Sequence, residues 1–188
     1  MDAIEAIATR RTVGRLVEPA PNADALARAF SAAMAAPDHK RLRPWRFLVI
    51  EGEARNALGT LMASALKGRK PETAGDDLTR EQAKPLRAPM IIAAIAKIKA
   101  DAGIPDVEQV LAAGAATQNL MLALHAQGFG TAWKTGAGAY DPRVRAGLGL
   151  GANEQIIGFI YAGTIAVQPP AQPVPDHRDH VTTWTGRT

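Results

Sequence analysis

The sequence predicts one domain of the α/β or α+β class, with three or four strands and about five helices. Short apolar runs that are typical of buried strands occur at 45–50, 88–98 and 155–165. Longer segments with apolar residues at helical spacing lie between these runs. The chain has 188 residues, 47% hydrophobic and 21% charged, so it can bury a sizeable core. Because neither an internal repeat nor a linker is visible, we interpret residues 1–188 as a single domain.

The N-terminal half is predicted to be mainly helical. Asp2 and Glu5 have the spacing of a helix cap, and the first helix should run into Arg10 and Arg11. A loop is expected at 13–21, because this stretch contains a glycine and two prolines. The other elements expected here are a helix from Asn22 or Asp24 to Met34, the strand at 45–50 and a helix at 51–67.

The C-terminal half is predicted to alternate strands and helices after a polar excursion at about 67–85. This excursion is a candidate lid with a short helix near 77–83. From about residue 166 the chain contains four prolines, which indicates an extended tail that lies on another surface. The other elements expected are a strand at 88–98, a long apolar helix from Pro105 to about Gln127, an extended segment at 129–135, a short helix after Asp141 and a strand at 155–165.

The composition narrows the possible chemistry. There are no cysteines, which excludes disulfides, thiolate zinc sites, a cysteine nucleophile and an iron–sulfur cluster held by this chain alone. The net charge of +4 favours an anionic ligand without identifying one. The first residues lack the pattern of a secretory signal, and no apolar run is long enough to span a bilayer. We therefore expect a cytoplasmic protein with no membrane partner.

Arg10, Arg11 and Thr12 stand where the first helix should end. Two guanidinium groups and a hydroxyl can donate hydrogen bonds to a phosphate in a planar, bidentate geometry. Alternatively, the two cations only stabilise the negative end of the helix dipole. The residues alone leave both interpretations open.

A second basic cluster occupies the loop at 39–47, where His39 and four lysine or arginine residues surround Trp45. Such a loop could bind a phosphate-rich partner and stack its aromatic ring on a base. The alternative is a solvated loop that enters a buried strand. We favour a core position for Trp45 and leave the role of His39 open.

A glycine-bounded segment at 128–136 contains Trp133, Lys134 and Thr135. It lacks the glycine that a phosphate loop needs before its lysine, so that interpretation is rejected. The segment can still bring backbone N–H groups close to a planar ligand. The alternative is an edge strand with turn glycines.

The remaining motifs predict no catalytic side chain and no metal site. Residues 147–152 fit a dinucleotide fingerprint only in form, because they follow a helix and precede a strand. His177 and His180 lack a third ligand, and His125 is interpreted as structural. An enzyme without a visible acid, base or nucleophile would depend on an organic cofactor.

Four segments, taken in order, resemble the FMN-dependent nitroreductase family, and most closely its short bacterial NAD(P)H nitroreductases. They are RRTVGRL, APDHKRLRPWRFLVIEG, AAGAATQNLMLALHAQGFGTAWKTG and IIGFIYAGT. Together they cover most of the chain. The resemblance implies an α+β fold in which helices flank a mixed sheet. It also implies an interlocked homodimer that binds two FMN molecules at the subunit interface.

The resemblance also assigns cofactor contacts. His39 would reach FMN from the other subunit, whereas a basic contact of the close subfamily falls on Ala35 here. The residues expected to hold the FMN phosphate and ribityl chain are Arg10, Arg11 and Thr12. The residues expected beside the isoalloxazine ring are Trp133, Lys134 and Thr135, to which we add Gly136. No residue is assigned as catalytic.

The resemblance implies a ping-pong flavoenzyme. NADH or NADPH reduces FMN and leaves, and a nitroaromatic, a quinone or a similar small molecule then takes the reducing equivalents. One alternative is a nucleic-acid-binding module that uses the loop at 39–47. Another is a flavin-binding protein of the same fold without turnover. We expect the enzyme, and therefore no nucleic-acid partner.

Overall fold

The computed structural model describes residues 1–186. The helices are α1 (Ala3–Thr9), α2 (Ala23–Met34), α3 (Ala54–Arg69), α4 (Gly75–Gln82), α5 (Asp106–Ala126) and α6 (Pro142–Gly147). The strands are β1 (Leu16–Val17), β2 (Trp45–Glu51), β3 (Met90–Lys97), β4 (Phe129–Lys134) and β5 (Glu154–Ile165). Within the described range, no helix has the length and apolar character needed to cross a bilayer.

The helix starts follow from local side-chain chemistry. Asp2 and Asn22 each accept a hydrogen bond at 2.9 Å from the backbone N–H three residues further on, which caps α1 and α2. Asp141 caps α6, and Pro142 occupies the first helical position, where no N–H is needed. The first helix ends at Thr9 and therefore stops just before the basic residues that were expected to close it.

Strand β5 is the centre of the sheet. Its residue Thr164 pairs with Phe129 of β4 on one edge and with Val17 of β1 on the other. β3 pairs with β5 on the same edge as β1, and β2 pairs with β3. The α+β class is confirmed, but the expected mixed sheet is wrong, because all four ladders are antiparallel. In residues 1–186, parallel pairing is limited to one bridge, Thr12 with Thr131, since the chain bends at Gly14 and joins β5 as β1.

The sheet separates two hydrophobic cores. Successive side chains of a strand point to opposite faces, and β3 buries both of them, which explains its continuous apolar sequence. Ile91 and Ile95 belong to the core under α3 and α6, whereas Ile92 belongs to the core under α2 and α5. Trp45 lies in the second core, as expected, and its Nε1 donates to the sulfur of Met34 at 3.3 Å.

The polar excursion at 67–85 contains the end of α3, helix α4 and the start of a 3-10 turn at Lys84–Arg87. The segment lies very close to α3, because a Cβ at Gly59 would stand 2.1 Å from the carbonyl oxygen of Gln82. Glycine at position 59 is therefore required for this contact. Beyond β5, residues 166–186 are largely exposed and contain one short 3-10 turn at His177–Asp179.

Candidate active site

The segment Arg10 to Thr12 lies beside the first half of β4. Thr12 pairs with Thr131, and the N–H of Val13 donates to the carbonyl of Thr131 at 3.0 Å. The hydroxyl of Thr131 is buried without a hydrogen-bond partner in the described residues. The basic segment is thus fixed to one strand rather than left as a free loop.

Arg10 and Arg11 differ in their contacts. Nη1 of Arg11 donates to the carbonyls of Ala8 and Arg10 at 2.6 and 2.9 Å, as a cation at a helix C-terminus should. Nη1 of Arg10 is buried and has no partner in the described residues. A buried donor without an acceptor is unfavourable, because it has lost its hydration. Of the two arginines, Arg10 is therefore the one whose Nη1 still lacks an acceptor.

His125 connects this segment to α5. Its Nε2 lies 2.9 Å from the hydroxyl oxygen of Thr9. Burial lowers the pKa of His125, and the positive charges of Arg10 and Arg11 lower it further. The ring is therefore neutral near neutral pH, and its pKa depends on the charge of the basic segment.

The other end of β4 opens into a cleft of about 390 Å³. Lys134, Thr135 and Gly136 form one wall of this cleft. Gly136 has φ 60° and ψ 177°, a conformation that glycine adopts without strain and other residues avoid. Trp133 does not line this cleft. Its Nε1 donates to the carbonyl of Ile157 at 3.1 Å on the opposite face of the sheet.

Strand β4 connects two groups of residues that are predicted to contact the cofactor, at 10–12 and at 134–136. Three residue steps separate Thr131 from Lys134, which corresponds to about 10 Å along a strand. The basic segment 10–12 and the turn at 134–136 therefore lie along one strand, at its two ends.

His39 lies far from Arg10. Its Nδ1 is 2.8 Å from Oε2 of Glu108 in the first turn of α5, whereas Arg10 lies near His125 in the last turn. This part of α5 is about 25 Å long. A single chain therefore does not bring His39 to Arg10.

The basic loop at 39–47 uses several of its cations within the chain. Arg46 forms a bidentate ion pair with Glu154, with both N–O distances at 2.7 Å. Lys40 Nζ donates to the carbonyl of Ala102 at 3.4 Å. Lys40, Arg41 and Arg43 have positive φ values between 49° and 57°, which is uncommon for residues with side chains. The loop is held in a strained conformation by contacts with the rest of the domain.

Cations from elements other than β4 also line the cleft and form a basic wall, which sequence analysis missed. The cations on this wall are Arg69, Lys70, Lys84 and Arg87, at the end of α3 and in the turn after α4. The buried side chains of Met62, Phe159 and Tyr161 also line the cleft. The available signal was the repeated placement of lysine and arginine in the segment interpreted as a lid.

The class of this protein follows from a comparison of its sequence with a family model. Residues 7–164 match the model of the nitroreductase family. The chain therefore belongs to the nitroreductase family, as its sequence segments indicated.

Individual relatives agree with this assignment. The chain is 39% identical over 164 residues to YdjA of Escherichia coli (strain K12), provisionally named an NAD(P)H nitroreductase, and the match covers 87% of this chain and 88% of YdjA. A nitroreductase-like protein from Bacillus cereus has a similar fold, with a TM-score of 0.85 at 24% identity, covering 99% of this chain and 97% of that one. A variant of the FMN and NADPH-dependent nitroreductase NfnB from sphigopyxis sp. strain HMH gives a TM-score of 0.79 at 23% identity, covering 99% and 100% of the two chains.

Proposed function

We propose that this protein is an FMN-dependent oxidoreductase that transfers reducing equivalents from NAD(P)H to a small nitroaromatic, quinone or similar acceptor. The observation that carries the proposal is the placement of the buried, unpartnered donor of Arg10 and the turn at 134–136 along one strand. The names of YdjA and NfnB support it, since one refers to NAD(P)H and the other to FMN and NADPH.

The residues at the two ends of β4 fit the two ends of FMN. Arg10 would donate to the phosphate, with the exposed Thr12 hydroxyl beside it. Lys134 would place a positive charge near the ring, where negative charge develops on reduction. Bound FMN would supply the two-electron chemistry between the nicotinamide donor and the acceptor. Trp133 would act from behind the strand, as a packing residue rather than as a direct contact.

The size of the cleft supports a ping-pong order. A cleft of about 390 Å³ lies at the lower end of the range for small-molecule sites. This is the size of a site for one small ring system beside the turn at 134–136, which favours binding of the donor and the acceptor one after the other. The two substrates would therefore use the same space in turn, while α4 and the turn after it limit the entry of water.

We also propose that the active form is a homodimer. Val107 and Leu111 of α5 are 62% and 66% exposed, and Trp184 of the tail is 83% exposed. Such apolar exposure is typical of a surface that is covered in the functional state. A second subunit could also supply the His39 that a single chain leaves remote from Arg10.

The cytoplasmic location of the protein stays a prediction.

The test is anaerobic stopped-flow spectroscopy of the protein after purification and incubation with FMN. We expect a yellow sample that releases FMN on heating, is reduced by NADH or NADPH and is reoxidised by a quinone or nitroaromatic compound. A flavin-loaded sample that neither nicotinamide reduces would instead indicate a flavin-binding protein without turnover. A colourless sample that takes up no FMN and binds DNA with steep salt dependence would indicate the nucleic-acid-binding alternative.

A further inference from the structure

We infer that the cleft selects electron acceptors that carry a negative charge, and that Arg87 and Lys70 recognise this charge. The inference rests on the proposed function, because it concerns the acceptor that would share the cleft with the FMN ring. The chemical class is an aromatic compound with a carboxylate or similar anionic group.

The charge of the cleft lining is strongly unbalanced. Five cations line it, and Glu81 is the one acidic residue among the described lining residues. Arg69 is paired with the buried Asp141, and Lys84 is paired with Glu81. These two ion pairs leave three cations in the lining without an ion pair or a side-chain hydrogen bond in the described part of the chain. They are Lys70, Arg87 and Lys134.

The three free cations come from different elements. Lys134 belongs to β4 and to the wall expected to contact the cofactor ring. Lys70 follows α3 and Arg87 ends the turn after α4, so both belong to the basic wall. A molecule in the cleft would meet Lys70 and Arg87 in addition to the residues of β4. A concave site lined by one sign of charge concentrates ligands of the other sign.

The side chains of Met62, Phe159 and Tyr161 provide the apolar part of the same cleft. Burial raises the pKa of Tyr161, and the nearby charge of Arg87 opposes this effect, so the phenol is neutral at physiological pH and adds no negative charge. An apolar surface beside two unpaired cations fits an aromatic ring with an anionic substituent. A neutral acceptor would use only the apolar part.

An outer depression next to the cleft is a poorer place for an anion. Its lining has four cations, Lys70, Arg80, Lys84 and Arg87, against three carboxylates, Glu72, Asp77 and Glu81. The inner cleft has five cations against one carboxylate, so its excess of positive charge is larger. The three carboxylates oppose a phosphate group, such as the 2′-phosphate of NADPH, in the outer position. We therefore assign Lys70 and Arg87 to the acceptor rather than to the nicotinamide donor.

The experiment is calorimetric titration of the oxidised, FMN-incubated protein with 4-nitrobenzoate and with its neutral analogue 4-nitrobenzamide. No donor is present, so the readout is binding and not turnover. We expect tighter binding of the carboxylate, with an advantage that falls at high salt. Arg87→Gln and Lys70→Gln should each reduce the carboxylate-to-amide ratio of affinities by roughly three- to tenfold. Arg80→Gln is the matched control, because Arg80 is paired with Asp77 outside the inner cleft and should leave the ratio unchanged.

Several results would overturn the inference. Equal affinities for the two compounds in the unmodified protein would do so directly. A carboxylate-to-amide ratio of affinities that neither variant changes would also overturn it. If the two variants instead lose a preference for NADPH over NADH, the two cations recognise the donor. A sample that takes up no FMN contradicts the proposed function instead, and the same titration of that apo protein still decides whether the cleft prefers anions. If Arg87→Gln fails to fold, Lys70→Gln, on the exposed residue after α3, carries the test.

Discussion

The hydroxyl oxygen of Thr9 lies 2.9 Å from Nε2 of His125, and this contact joins the end of α1 to the last turn of α5. It holds Arg10 and Arg11 close enough for their charges to lower the pKa of the ring. The basic segment is therefore coupled to a titratable group that does not itself need to touch a ligand.

We expect Arg10→Ala to weaken FMN binding by about one to two decades, which corresponds to loss of one charge-assisted contact of about 1.5–3 kcal/mol. Arg11→Ala should weaken it less, because Nη1 of Arg11 already donates to two carbonyls at the end of α1. Flavin titration measures both effects, and thermal melts of the apo proteins serve as the control. Unchanged affinity together with a lower melting temperature would assign both residues to the helix end alone.

Binding of FMN should raise the pKa of His125. The ligand phosphate would neutralise part of the charge on Arg10 and Arg11, which now lowers this pKa. Proton NMR titration of the imidazole with and without FMN measures the shift, and inorganic phosphate is a second, flavin-free ligand. If neither FMN nor inorganic phosphate changes the pKa of His125 from its value in the free protein, the result would contradict a phosphate site at this segment.

The ion pair between Arg46 and Glu154 should make stability depend on acid pH. Hydrogen bonding to Arg46 lowers the pKa of Glu154 from 4.5 to about 2. The stabilisation is present above pH 4.5, where the carboxylate is ionised in both states, and is lost as the pH falls towards 2. Arg46→Gln should therefore unfold more readily in denaturant near neutral pH and lose less stability between pH 4.5 and 2. Arg178→Gln, which removes an exposed pair with Asp176, is the control and should change neither property.

The protein should sediment as a dimer, and Leu111→Asp should shift it towards the monomer by placing a charge on an exposed apolar position of α5. If His39 reaches FMN from the other subunit, the same variant should also lose FMN affinity. Analytical ultracentrifugation and flavin titration, performed at the same protein concentrations, measure the two effects. An unmodified monomer with full flavin occupancy would contradict both the dimer and the role of His39.

Most of the fold could be predicted, because long helices leave a periodic pattern and buried strands leave short apolar runs. The long helix expected from Pro105 to Gln127 is α5, and the strand expected at 155–165 is β5 with one more residue. β1 was not predicted, because two residues are too few to show a period and their pairing with β5 is non-local. The strand directions were likewise set by pairings that no local pattern encodes.

The candidate site could be predicted only in part. The segments at 10–12 and 134–136 were noticed from their residues and assigned to the cofactor through resemblance, and the structure places both along β4. The basic wall was missed because it forms only when α4 packs on α3, at the contact between Gly59 and Gln82. The sequence of α4 is polar apart from Leu78 and Gly75, so it resembles a solvated segment until that contact is known.

The central position of β5 has a consequence for synthesis on the ribosome. β1, β3 and β4 all pair with β5, yet each precedes it in the chain, and β2 reaches the sheet only through β3. The sheet therefore cannot close until residues 154–165 have emerged. At a synthesis rate of about 5–20 residues per second, the apolar strand β3 must remain without its main partner for several seconds. Chains that stop before residue 154 lack the strand that joins β1, β3 and β4, and they should therefore aggregate rather than fold.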